Sequence, residues 1–171
     1  MPLLRSPRFH FACIAFGCAA LLAYAYYVQF RLFIDPCPLC ILQRVAFLAL
    51  GLVALAAALH GPREFGRKVY GLLAVVSAAV GAGIALQHVR LQNLPADQVP
   101  ACGPGLNYMI DTLPLAAALK KAFTGSGECA QVDWTFLGLS MPTWTLICFI
   151  VLGLWAIYAA FRSAPVRRHS S

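Results

Sequence analysis

Cys37 and Cys40 stand two residues apart in the run Asp35-Pro36-Cys37-Pro38-Leu39-Cys40, just ahead of a long apolar stretch. At that spacing a disulfide can form and break within one helical turn. Proline is favoured in the first turn of a helix, where its missing N–H is not needed, so a helix is predicted to begin at about Pro38. A first-turn cysteine meets the partial positive charge and free N–H groups of the helix N-terminus, which favour thiolate over thiol. Cys40 is the better placed of the two, and Arg44, four residues on, projects from the same helix face. A permanent cation there would favour the thiolate further and could hold a developing oxyanion on a bound acceptor. Alone, Arg44 reads as a snorkelling side chain; beside Cys40, an arginine inside an apolar span points to function, with the thiolate or the acceptor as its partner.

A second pair, Cys102 and Cys129, encloses residues 103–128. Linking them would stabilise the loop by roughly 3 to 4 kcal/mol in the chain-entropy view, so a static staple is one reading. Cys102 precedes Gly103-Pro104-Gly105 and Cys129 follows Gly125-Ser126-Gly127, which places both in flexible, exposed backbone and suits thiols that change partners. Other chemistries fit less well. Zinc would need two ligands beyond Cys37 and Cys40, and Cys102 with Cys129 lack paired-knuckle spacing, so no metal is assigned. Covalent haem needs a histidine directly after the second cysteine, where Ile41 stands. A thioredoxin domain needs alternating strands and helices, which this chain lacks.

The elements that must position these thiols are membrane spans. Of 171 residues, 61% are hydrophobic and 11% charged, against roughly 25% charged in an ordinary soluble domain. Four apolar runs are long enough to cross a bilayer as helices, at about 11–28, 41–59, 69–87 and 143–161. The fold class is therefore an all-α, four-helix transmembrane bundle in a single domain, with loops at about 29–40 and 88–142. The net charge of +7 does not read as nucleic-acid binding, because the basic residues sort by side of the membrane instead of sharing one face. Arg5, Arg8, Arg63, Arg67, Lys68, Arg162, Arg167 and Arg168 fall on one side, and the positive-inside rule puts that side and both termini in the cytoplasm. Arg31, Arg90, Lys120 and Lys121 lie in the opposite loops. All four loop cysteines then face an oxidising periplasm, where disulfides persist. Cys13, Cys18 and Cys148 are mid-span and read as small packing residues. Basic residues, an apolar core and Ala23-Tyr24-Ala25 also resemble a cleavable signal, but the apolar run continues through Tyr26, Tyr27 and Val28, which favours a retained span.

The loop at 88–142 is far longer than a connection of roughly 4 to 6 residues, so it is expected to be functional. Within it Leu115, Leu119, Ala122 and Phe123 recur at helical spacing, with Lys120 and Lys121 on another face, which suits a short helix lying on the membrane surface or packed on protein. Ser77 and Gly81 form a small-xxx-small pair for helix packing, followed by Gly83. Trp134 and Trp144 bracket the return into the fourth span as interfacial anchors.

Two dithiol pairs that pass electrons need an acceptor. No nucleotide, flavin, haem or iron-sulfur motif is visible, and the bilayer itself holds a mobile two-electron acceptor, quinone. His88, at the outer end of the third span, either lines a quinone pocket or sits in interfacial water.

The stretches Pro36-Cys37-Pro38-Leu39-Cys40-Ile41-Leu42-Gln43-Arg44, Cys102, Gly127-Glu128-Cys129-Ala130 and Trp134-Thr135-Phe136-Leu137-Gly138-Leu139-Ser140-Met141-Pro142-Thr143-Trp144 together resemble the DsbB family of disulfide bond formation proteins. The resemblance spans all four helices and both outward loops. It implies a bacterial inner-membrane enzyme that reoxidises a periplasmic DsbA-type thiol oxidase and passes the electrons to quinone, ubiquinone or menaquinone; the link between DsbA, DsbB and quinone belongs to that family's known physiology. It further implies that Cys102 is attacked by the reduced partner, that Cys129 then bridges to Cys37, and that the Cys40 thiolate so released engages quinone beside Arg44. His88 falls where the family often has a histidine near the quinone. Two rivals remain: a related quinone-linked enzyme serving a dedicated thiol substrate, and a channel-like bundle whose disulfides are merely structural.

Overall fold

The computed structural model describes residues 6–33, 35–95, 97–99, 114–125, 127–132 and 134–161. Its elements are α1 (Pro7–Leu32), α2 (Pro38–His60), α3 (Glu64–Gln92), α4 (Leu115–Thr124), α5 (Gly127–Ala130), a hairpin of β1 (Thr135–Phe136) and β2 (Leu139–Ser140), and α6 (Met141–Phe161). Helices α1, α2, α3 and α6 are each long and apolar enough to cross a membrane, as the composition predicts. They run further than the predicted spans, chiefly at α1 and α3. Hydropathy marks only the part that meets hydrocarbon, whereas good helix formers such as Glu64, Arg67 and Lys68 extend the hydrogen-bond ladder beyond it.

The bundle closes as a ring: α1 packs on α2, α2 on α3, α3 on α6 and α6 on α1. Its interior is built from small residues, including Ala46, Ala54, Ala57, Ala74, Ala78, Ala85, Ala156 and Ala159. Large apolar side chains such as Leu48, Leu52, Leu72, Val76, Ile150 and Leu154 point outward. That inversion of the soluble pattern is what lipid selects, because hydrocarbon solvates large apolar groups and only close packing holds the helices together.

The buried stripe of α3 reads Gly71, Ala74, Ala78, Gly81, Ala85, His88, the alternating three- and four-residue steps of one helix face. Gly81 is where the aromatic ring of Phe149 sits, so a side chain there would collide with it. Phe149 in turn stacks on Phe47 of α2, with ring centroids 3.9 Å apart. The predicted Ser77 and Gly81 pair is half right: Ser77 turns its hydroxyl onto its own helix at Leu73, and Gly83 faces open space.

Two basic residues seal helix ends. Arg8 donates to the carbonyls of Ala58 and Leu59 at the C-terminus of α2, and buried Arg67 donates to the Ala160 carbonyl of α6. Carbonyls that lack an intrahelical partner are satisfied this way, and cations there also suit the helix dipole. At the other end, the predicted short helix in the long loop is present as α4, which approaches α2.

Candidate active site

α2 begins at Pro38, with Cys37 as its N-cap in extended conformation (φ −65°, ψ 163°). The first-turn N–H of Cys40 bonds the sulfur of Cys37 at 3.4 Å, and the two sulfurs lie 3.1 Å apart. The helix N-terminus thus caps Cys37, whose thiol in turn donates to the Cys40 sulfur, the residue that the spacing favours. Cys37 and Cys40 both line a cavity of about 1000 Å³ set among the four long helices, at the end of the bundle that carries the hairpin and α5.

His88, the last member of the α3 stripe, is only 2% exposed. It is buried within the bundle and is not an interfacial histidine in water. Its Nε2 lies 3.8 Å from the Cys37 sulfur, and its Nδ1 lies 3.2 Å from the side-chain nitrogen of Gln43. Gln43, 3% exposed, accepts on Oε1 from the Thr145 hydroxyl of α6 at 2.9 Å. With the Gln43 amide in this orientation Nδ1 accepts and the ring hydrogen sits on Nε2, aimed at sulfur. Thr145, Gln43, His88 and Cys37 thus form one hydrogen-bonded chain across three helices. Sequence reading passes over Gln43 and Thr145. A signal for Gln43 existed: it interrupts the apolar series Leu39, Ala46, Leu50, Ala54, Ala57 on the buried face of α2, and a buried polar side chain needs a partner.

Arg44 is half-buried and lines the same cavity as Cys40. Its guanidinium reaches across to α1, where it bonds Gln29 and the Ala25 carbonyl at 3.2 Å and lies over the Tyr26 ring at 4.9 Å. The charge is therefore fixed at the cavity by α1 instead of snorkelling outward, and part of its planar fork remains for a ligand.

Cys129 corrects the expectation of flexible, exposed backbone. It is fully buried, at 0% exposure, inside the short helix α5. The flanking glycines serve close packing. Gly125 has φ +84° and abuts Leu91 and Leu39, where a side chain would collide, and Gly127 is buried. The turn delivers the Cys129 sulfur to within 4.8 Å of both the Cys37 sulfur and the His88 ring nitrogen. Cys102 lies outside the described residues. Of the mid-span cysteines, Cys18 is buried in the core and packs against Gly51, while Cys148 borders the cavity.

The cavity wall is completed by the hairpin. Leu137 and Gly138 form its two-residue turn with φ of 52° and 78°, the left-handed pair that matches strand twist. Phe136 stacks on Trp134 at 5.9 Å, and its carbonyl accepts from the Trp144 indole at 3.0 Å. Trp134 also meets Tyr24 of α1 edge-on. Apolar walls with a few convergent polar groups are the make-up of a small-molecule pocket.

Residues 7–159 match the family model described as disulfide bond formation protein DsbB. The chain is 54% identical over 158 residues to disulfide bond formation protein B of Nitrosococcus oceani, covering 92% of this chain and 94% of the relative. It is 51% identical to the protein of that name from Xanthomonas axonopodis pv. citri, over 90% of this chain and 88% of the relative. The same identity holds with that of Marinobacter nauticus, over 88% and 91%. The chain belongs to the DsbB family, and is thus a multi-pass membrane oxidoreductase with a role in disulfide bond formation.

Proposed function

We propose that this protein oxidises a periplasmic DsbA-type dithiol and delivers the electron pair to quinone within the bacterial inner membrane, its termini cytoplasmic and its two cysteine-bearing loops periplasmic. The observation that carries this reading is the approach of the Cys129 sulfur to that of Cys37, beside a cavity that Cys40 and Arg44 share.

The exchange begins with Cys37 paired to Cys40 and Cys102 paired to Cys129. A partner thiolate attacks Cys102, forming a mixed disulfide and releasing Cys129 as thiolate. Cys129 then attacks the sulfur of Cys37, breaking the bond to Cys40, which leaves as thiolate into the cavity. The partner's second thiolate attacks its own half of the mixed disulfide, so the partner departs oxidised and Cys102 is left reduced. Cys102 then attacks Cys129, re-forming that disulfide and releasing Cys37 as thiolate, and the Cys37 and Cys40 dithiol closes its own disulfide as two electrons and two protons pass to the acceptor. Each full cycle removes two electrons and two protons from the partner dithiol.

The cavity fits a quinone head: apolar walls for the ring and its isoprenoid substituent, with hydrogen-bond donors at one end. Quinone, when bound, supplies the two-electron, two-proton acceptor. Arg44 keeps a fixed cation where negative charge must develop, and the Nε2 hydrogen of His88 steadies the Cys37 sulfur through exchange.

A coupled assay tests the reading. Purified protein, a reduced DsbA-type dithiol and a ubiquinone or menaquinone analogue are expected to yield quinol and oxidised partner in equal amounts, and Cys40→Ser is expected to stop quinol formation. Absence of quinol, or full activity in Cys40→Ser, would refute it.

A further inference from the structure

We propose that, with both cysteine pairs reduced, Cys37, Cys129 and His88 form a binding site for a thiophilic divalent cation, Zn2+ foremost, with Cys40 as fourth ligand, and that occupancy arrests thiol exchange. The three ligand atoms come from the N-cap of α2, from α5 and from α3, and all lie within 4.8 Å of one another. Sequence spacing hides the set, because His88 stands 51 residues from Cys37. At Zn–S and Zn–N lengths of about 2.3 and 2.0 Å, tetrahedral ligands sit about 3.5 Å (S to N) and about 3.8 Å (S to S) apart. The observed separation of His88 Nε2 from the Cys37 sulfur is 3.8 Å. The Cys40 sulfur lies 3.1 Å from that of Cys37 and would rotate away from it, to the tetrahedral S to S separation of about 3.8 Å, to take the fourth position. Two thiolates with imidazole and a further thiolate are a soft donor set that selects zinc over harder cations. Both His88 and Cys129 are buried, and the fixed charge of Arg44 on the same cavity offsets the extra thiolate.

The hydrogen-bonded chain behind His88 accommodates a cation as well as it does a thiol. Coordination at Nε2 requires that the ring hydrogen move to Nδ1, which then needs an acceptor. A half-turn of the Gln43 amide presents Oε1 to Nδ1 and its nitrogen to the Thr145 oxygen. Thr145 can receive that bond, since its own hydrogen has a second acceptor in the Pro142 carbonyl at 2.8 Å. Every polar group stays paired in both states. Each cysteine that ligates gives up its proton, so uptake is accompanied by proton release.

The site is distinct from the choice of electron acceptor, and its test reads binding alone. Fully reduced protein in detergent, kept anaerobic, is titrated with Co2+ and then Zn2+. The expected result is near-ultraviolet thiolate-to-cobalt absorption saturating at one equivalent, its displacement by Zn2+ with release of protons, and protection of Cys37 and Cys129 from alkylation by Zn2+. Protein with both disulfides formed is expected to give none of these. His88→Gln and Cys129→Ser should each weaken binding at least about tenfold, and Gln43→Glu, a better acceptor for Nδ1–H, should tighten it; Cys13→Ser should change nothing. Equal binding by the oxidised protein, or undiminished binding in His88→Gln and Cys129→Ser, would overturn the proposal. So would unchanged alkylation of wild-type Cys129 under saturating Zn2+.

Discussion

The imidazole of His88 presents Nε2 to the sulfur of Cys37 at 3.8 Å while Gln43 engages its Nδ1 at 3.2 Å. One side chain thus decides what the other offers the disulfide. With Nδ1 accepting from Gln43, Nε2 carries the hydrogen and donates to sulfur. The 15N shifts of labelled His88 are expected to report the Nε2–H tautomer in the native protein, and Gln43→Glu should move the hydrogen to Nδ1. An unchanged tautomer in that variant would show that Gln43 does not set it.

Gln43→Leu removes the partner of His88 Nδ1 at a buried position and leaves Thr145 only the Pro142 carbonyl. A buried polar group left unpaired costs about 1–3 kcal/mol, so the thermal unfolding midpoint should fall well below that of the native protein. An unchanged midpoint would mean that the chain through Thr145 is not a stabilising network.

Arg44 contacts α1 and lines the cavity that Cys40 also lines. Arg44→Met is expected to raise the KM for quinone by roughly 10- to 100-fold, the equivalent of losing one charge-assisted hydrogen bond of about 1.5–3 kcal/mol. Mixed-disulfide formation with the dithiol protein should be preserved. Arg44→Lys keeps the charge but not the planar fork held between Gln29, Ala25 and Tyr26, so it should rescue only in part. Steady-state kinetics with quinone varied, beside stopped-flow of partner exchange, separates the two effects.

Gly81 and Gly83 make a matched pair of controls on α3. A methyl group at Gly81 meets the Phe149 ring, whereas at Gly83 it meets nothing. Gly81→Ala should destabilise by roughly 1–3 kcal/mol through overpacking, and Gly83→Ala should be neutral or slightly stabilising. Thermal unfolding in one detergent compares them directly.

Local chemistry was readable in the chain. The spacing of Cys37, Cys40 and Arg44, the proline that opens α2 and the four apolar runs are all short-range patterns, and the fold reproduces them. What the chain does not display is contact between distant segments. Cys129 reads as exposed because glycines flank it, yet Gly125 is there to let the turn press against Leu91 and Leu39. From its place near a helix end His88 reads equally as pocket-lining or interfacial, and packing decides it, because it continues the stripe of Gly71, Ala78 and Gly81 into the bundle. The helix dipole argument favours Cys40, whose sulfur accepts from the Cys37 thiol, but it does not show that the N–H of Cys40 turns to cap the Cys37 sulfur. Each of these depends on which face an element turns inward, and only packing decides that.

The central claim is that the electron pair passes from the partner-facing cysteines to the cavity through Cys129 and Cys37. The double variant Cys40→Ser, Cys102→Ser leaves those two as the remaining members of the pairs. Under mild oxidation, peptide mapping by mass spectrometry is expected to find Cys37 linked to Cys129 in nearly all molecules. Recovery of both as separately alkylated thiols, under conditions that restore both disulfides in the native protein, would contradict the account.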